Sequence, residues 1–149
     1  MLRQRGFETV SGFDTERVVP PVRKTKYSAG YDLAAYGDYV LPVGQIVKIA
    51  TGLKEYMLPD EFLGIHIRSS LAIKYGLILI NAQGIIDCDY YNNPDNEGHI
   101  LIAVKNLGER EQVIRHGERI AQGIFYKYLC TDTDCAEGLR TSGIGSTGR

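Results

Sequence analysis

The sequence predicts an all-β fold of the jelly-roll or barrel type. Short runs rich in Val, Ile, Tyr and Phe dominate the chain, partly alternating between apolar and polar residues. Turn signals separate them: LPVG at 41–44, LPDE at 58–61, NNPDNEG at 92–98, NLGERE at 106–111 and RHGE at 115–118. Many short strands punctuated in this way pack as a barrel, a sandwich or a jelly roll. No internal repeat or interior low-complexity linker interrupts the pattern, and 149 residues suit one domain with one sizeable core.

In chain order, strands are expected in DYVL (38–41), QIVKIATGLKEYM (45–57), EFLGIHI (61–67), LILI (77–80), HILIAVKNL (99–107) and RIAQGIFYKYL (119–129). One short helix is expected over SLAIKYG (70–76), with Ser70 as its cap and Gly76 as its end. Beyond Glu137 the apolar pattern stops. This divides the chain into a β body, 1–137, and a flexible glycine-rich arm, 138–149.

Hydrophobic content is 44% and the formal net charge is −1, as in soluble globular proteins. That balance argues against bulk electrostatic binding to nucleic acid or membrane. The apolar runs are too short to span a bilayer, and MLRQRGFETV lacks the apolar core of a signal peptide. Three cysteines, Cys88, Cys130 and Cys135, form no disulfide framework and suggest a reducing, cytoplasmic setting. Cys130 and Cys135 have no further ligand pair to complete a metal site, and the three histidines, His66, His99 and His116, are scattered.

The stretch NAQGIIDCDYYNNPDNEGHI, 81–100, sets two carboxylates, Asp87 and Asp89, directly after an apolar run. Desolvated carboxylates are costly unless paired or bound, and such places are working sites or ion-pair networks. On a regular strand the two acids would share a face and repel, so either the hairpin breaks the strand geometry or a cation compensates. Asn81 offers a donor and an acceptor, suited to reading a base edge or to locking a hairpin. Arg68 stands beside Ser69 and Ser70 in IRSSLA, either a phosphate cradle or a helix cap with an ion pair. Asp32 in AGYDLAA is a turn residue or an outer-sphere magnesium ligand, and read alone it favours the turn. Gln122 in GERIAQG is an amide within a strand pattern and needs partners from a ligand or an interface.

The arm, GLRTSGIGSTGR, contains a G-x-G-x-x-G string, but the sequence ends before the helix which that fingerprint requires. It also starts like a P-loop, with Ile144 where the lysine should be. What survives is the capacity of glycine backbone N–H groups, with Arg140, to converge on an anion; the alternative is a polar tail.

Together and in order, these segments resemble the five motifs of the homotrimeric all-β deoxyuridine triphosphate nucleotidohydrolases (dUTPases). AGYDL resembles the first motif, RSSLA the second, NAQGIIDCDY the third, GERIAQ the fourth and RTSGIGSTG the fifth. The resemblance implies a distorted jelly roll that hydrolyses dUTP to dUMP and pyrophosphate. It assigns Asp87 as the general base. Asn81, Gly84, Ile85, Ile86 and Tyr90 would line the uracil and deoxyribose pocket, with Tyr90 excluding a 2′-hydroxyl. Arg68, Ser69, Ser70, Gln122, Arg140, Gly145, Ser146 and Thr147 would hold the phosphates with Mg²⁺, and Asp32 would act on the metal through water. Asp89 is structural on this reading.

Two departures stand out. Seven residues separate Tyr90 from Gly98 where the family has one, and they are expected to extend a hairpin tip. Ile144 stands where the family carries a phenylalanine over uracil, and offers apolar cover without a π-face. Two other readings use the same scaffold. A dCTP deaminase needs a glutamate on the strand after the hairpin, and HILIAVKN has no acid. A noncatalytic nucleotide sensor would not require Asp87, Asn81 and Tyr90 together, although the inserted tip leaves room for a regulatory partner protein.

Overall fold

The computed structural model describes residues 2–144. Its strands are β1 (Gly6–Thr9), β2 (Tyr31–Ala34), β3 (Tyr39–Leu41), β4 (Ile46–Ala50), β5 (Leu53–Tyr56), β6 (Glu61–Ile67), β7 (Leu77–Leu79), β8 (Gly84–Asp87), β9 (Leu101–Asn106), β10 (Gln112–Ile114) and β11 (Arg119–Lys127). One helix, α1 (Ser69–Tyr75), sits between β6 and β7. The strands form a four-stranded sheet β2–β11–β6–β8, a three-stranded sheet β4–β9–β7, and two ribbons, β1–β5 and β3–β10. Every strand pair is antiparallel. The all-β expectation holds, with one short helix. No helix among the described residues is long and apolar enough to cross a membrane.

Alternation builds the core. On β9, Ile102, Val104 and Asn106 point inward while Leu101, Ala103 and Lys105 are only half-buried. Leu33, Leu41, Ile49, Leu63, Ile65, Leu77 and Ile120 close the same apolar cluster from the other strands. Asn106 is fully buried, yet its amide donates to the Leu41 and Arg110 carbonyls at 2.8 and 2.9 Å and accepts from the Gly108 N–H at 2.9 Å. A buried amide whose hydrogen bonds are made costs little and fixes the strand end. Glu55 on β5 is different. It is fully buried, neither carboxylate oxygen has a hydrogen-bond partner among the described residues, and burial pushes its pKa up to about 8.

Three local expectations are corrected. The run 45–57 is two strands, because Gly52 turns the chain at φ +73°; a Cβ there would meet Val18 Cγ2 at 2.8 Å. The helix begins with Arg68 as its N-cap and no side-chain cap bond, so Ser70 lies inside the first turn and caps nothing. Gly76 does end it, at φ +66°, with its N–H on the Ala72 carbonyl. Asp32 lies within β2 and not in a turn.

Candidate active site

The acid-bearing segment is the outer edge of the four-stranded sheet. Among the described residues β8 pairs only with β6, in the register Ile65↔Gly84, Leu63↔Ile86 and Phe62↔Asp87. Gly84 is required by close approach, since a Cβ there would lie 3.0 Å from the Cβ of Ile65. The turn into β8 is tight. Ala82 adopts φ +61°, and the Gln83 N–H bonds the Asn81 carbonyl at 2.7 Å. A non-glycine residue in the left-handed region costs roughly 1–2 kcal/mol, and here it leaves Asn81 exposed at the mouth of the β7–β8 hairpin.

After Asp87 the chain leaves strand geometry for a 3-10 turn, Cys88–Tyr90. The arm then brings a cation. Arg140 donates from Nη2 to Asp87 at 2.7 Å and from Nε to Asp89 at 2.8 Å. Both remedies for the paired acids are therefore present, a broken strand and a compensating charge. The hydrogen bond to Asp89, more than any other contact, raises the Arg140 pKa further above its ordinary value. Between the acids, burial and then the two carboxylates push the Cys88 thiol up, so it is a poor nucleophile.

These groups rim a cavity of about 380 Å³. Its floor is apolar: Ile65, Leu79, Ile86, Leu101 and Ala103. Tyr90 and His99 form one wall, Asn81, Gly84, Ile85 and Asp87 the mouth, and Arg140, Gly143 and Ile144 of the arm the cover. Tyr90 is buried and donates its hydroxyl to the His99 carbonyl at 3.0 Å; burial raises its phenol pKa. His99 accepts the Gly52 N–H at Nε2, 3.0 Å, and burial lowers its pKa, which keeps the ring neutral. Ile144 is 70% exposed at the rim.

Arg68, Ser69, Ser70, Gln122 and Asp32 do not line this cavity. Four polar residues instead form a second cluster, on β2, β11 and the β6–α1 junction. Asp32 receives Arg119 at 2.9 Å and faces Arg68 Nε at 3.6 Å. Gln122 pairs across the sheet with Asp32 on one side and His66 on the other. Gly30 makes room for that amide, because a Cβ there would sit 2.3 Å from Gln122 Oε1. Ser69 and Ser70 are exposed at the start of α1. Gly145, Ser146 and Thr147 lie outside the described residues. Sequence reasoning missed Arg119, although GERIAQ contains it, and read His99 as a strand residue rather than a cavity wall.

The inserted residues do not extend a hairpin tip. They leave and return at one place: Asn92 N–H bonds the Glu97 carbonyl at 2.9 Å, and Gly98, at φ +84°, packs where a Cβ would meet the Tyr90 carbonyl at 2.7 Å. The loop lies against the β1–β5 ribbon, with Lys54 on Asn92 and Glu97 at 2.6 and 3.1 Å and Tyr91 on Glu8 at 2.5 Å.

Among the described residues no three His, Cys, Asp or Glu side chains group as a metal cage. Asp32, held between two guanidinium groups, could serve a divalent cation only beside other ligands.

The dUTPase family model matches residues 16–149. A deoxyuridine 5'-triphosphate nucleotidohydrolase of Lactococcus lactis subsp. lactis (strain IL1403) is 46% identical over 149 residues, covering 99% of each chain. Its counterpart in Desulfitobacterium hafniense (strain DSM 10664 / DCB-2) is 43% identical over 138 residues, covering 86% of each. Among solved structures, the dUTPase from Streptococcus mutans superposes with a TM-score of 0.80 at 44% identity, over 85% of this chain and 98% of that one. A mutant dUTPase from phage phi11 of S. aureus, described for its coordination of a structural Mg(II) ion, shares the fold at 18% identity and a TM-score of 0.73, over 92% of this chain and 99% of that one. The chain belongs to the dUTPase family.

Proposed function

We propose that the cavity beneath the arm is where this chain hydrolyses dUTP to dUMP and pyrophosphate, with Asp87 as the general base. One observation carries the assignment to this place: Asp87 stands at the rim of an apolar cavity of about 380 Å³, beside Tyr90, Asn81 and the arm's Arg140. Deoxyuridine enters with its base toward Asn81 and the backbone of Gly84, Ile85 and Ile86. Tyr90 packs against the sugar and leaves no room for a 2′-hydroxyl. Asp87 takes a proton from water as the water oxygen bonds the α-phosphorus and the bond to the departing pyrophosphate breaks. Ile144 closes over the base, and Arg140 with Gly145, Ser146 and Thr147 follows the phosphates.

Phosphoryl transfer depends mainly on positioning and charge stabilisation. Mg²⁺, when bound, would neutralise phosphate charge, and Asp32 would meet it through water. Arg68, Ser69, Ser70 and Gln122 form the phosphate-binding set. They lie off the cavity of their own chain, so we assign them to a neighbour's site in a homotrimer with shared active sites. The three free thiols suit a cytoplasmic setting.

The test is a panel of dUTP, UTP and dCTP with magnesium, followed by monophosphate, pyrophosphate and ammonia. We expect dUMP and pyrophosphate from dUTP alone. Absence of turnover on dUTP, or ammonia from dCTP, would overturn this reading.

A further inference from the structure

The inserted loop touches both the sugar-side tyrosine and the arm. Asn93, almost fully buried, donates to the Tyr90 carbonyl and to Asn96 Oδ1, each at 2.8 Å, and accepts the Asp95 and Asn96 N–H groups at 3.0 and 3.1 Å. These bonds orient Asn96, whose amide donates to the Tyr90 hydroxyl at 2.8 Å and accepts the Gly98 N–H at 3.0 Å. The loop is tied to the body as well: Glu97 receives Lys54 and the Ser11 N–H. It is therefore a ledge held on several sides.

The arm rests on that ledge. The Gly143 N–H donates to Asp95 Oδ2 at 3.3 Å. Gly143 is buried, and a Cβ there would lie 3.0 Å from both Asp95 Oδ2 and Asn96 Nδ2. A methyl group at that distance must push the ends of these two side chains back by a few tenths of an ångström. Arg140, three residues earlier, lies with its guanidinium 5.8 Å from the centre of the Tyr90 ring and bonds Asp87 and Asp89. The arm is thus held both on the acids and on the inserted loop.

We infer that the inserted loop is the receiver for the arm, with Asp95 and Asn96 as positioning residues that seat Gly143 and so set the arm over the cavity. This rests on the functional reading above and deepens it. Asp95 touches no reacting atom; it acts through the backbone of Gly143. Residues 140–144 are thereby held at the cavity before substrate arrives, and less of their ordering is left to substrate binding.

Two measurements on the full-length protein test it. The first is trypsin cleavage after Arg140, followed by release of the 141–149 peptide with no nucleotide present. Wild type should be cleaved slowly, Asp95→Ala about tenfold faster, and Asp95→Asn, whose amide oxygen still accepts the N–H, near wild type. The second is steady-state hydrolysis of dUTP. Asp95→Ala and Gly143→Ala should each lower kcat/KM about tenfold, and the double variant should be no worse than either single. The preference for dUTP over UTP should stay unchanged in Asp95→Ala, because Asn96 still holds Tyr90. Equal cleavage rates in wild type and Asp95→Ala, or a double variant down by the product of the singles, would overturn the inference. The cleavage assay does not depend on turnover, so failure of the functional reading would not be mistaken for failure of the seat.

Discussion

The cavity at the β8 edge and the Asp32 face on the same sheet surround their charges in opposite ways. At the cavity, two carboxylates share one arginine, above an apolar floor. On the Asp32 face, two arginines share one carboxylate beside an amide and two exposed hydroxyls. An apolar slot with a few placed polar groups suits a base and a sugar. Guanidinium groups in excess of carboxylates suit phosphate. Neither half is a complete triphosphate site, and the homotrimer proposed above would bring the two together across subunits.

The largest effect should come from the cavity side. Asp87→Asn keeps size and most hydrogen bonds but removes basicity, and kcat should fall on the order of 10²–10⁴-fold with dUTP binding preserved. Near-normal pyrophosphate release by this variant would end the assignment. Arg68→Ala breaks the other side and should lower kcat/KM by about 10²-fold, as for removal of one electrostatic donor. The two variants also examine the division itself. When co-assembled in equal amounts they should recover about a quarter of wild-type activity, because some sites then take an intact half from each of two chains. No recovery would mean that both halves serve one chain's site. A smaller change is expected from Tyr90→Ala, which should narrow the ratio of kcat/KM for dUTP over UTP by roughly tenfold, the scale on which shape in a pocket discriminates. An unchanged ratio would put sugar selection elsewhere.

The smallest effect on turnover should come from Glu55, which belongs to neither half. Its folded pKa, about 8, lies above the ordinary glutamate value, so its neutral form is the one the fold accommodates. Its contribution is fully present below about pH 4.5 and is lost as the pH rises through about 8. Glu55→Gln should leave hydrolysis unchanged and raise the melting temperature at pH 8 relative to wild type, with the difference vanishing near pH 4.5. A difference independent of pH would show that the carboxyl does not titrate in this range.

Much of this was legible in the sequence where the information is local. The longer strands announced themselves by apolar alternation, Gly76 marked the end of α1, and the five motifs carried their residues in order. Strands of three or four residues, such as β1, β8 and β10, are too short to display a period. The grouping of Asp32 with Arg119 and Gln122 arises from cross-strand register, which no single segment contains. The inserted loop was misread because its composition marks only a turn. That Asn93 is buried beneath it, and that its ends close on Tyr90 and Gly98, depends on a ribbon formed some forty to eighty residues earlier in the chain. The acid pair was posed correctly, but the identity of its cation was not: Arg140 lies in a segment without periodicity.

Ionic strength should separate the molecule's arginines. The Arg140 side chain is 12% exposed but its partners Asp87 and Asp89 are 52% exposed, whereas Arg68 and Arg119, 30% and 37% exposed, share an Asp32 that is 13% exposed. Counterions screen exposed charges over a Debye length of about 30 Å at 0.01 M salt and 10 Å at 0.1 M, and reach buried pairs much less. Added salt should therefore weaken both the long-range attraction of a triphosphate to the open face and the arm's grip on the half-exposed Asp87 and Asp89, and weaken the part-buried Arg119–Asp32 pair less. The association rate and the lifetime of the covered state would both fall with salt.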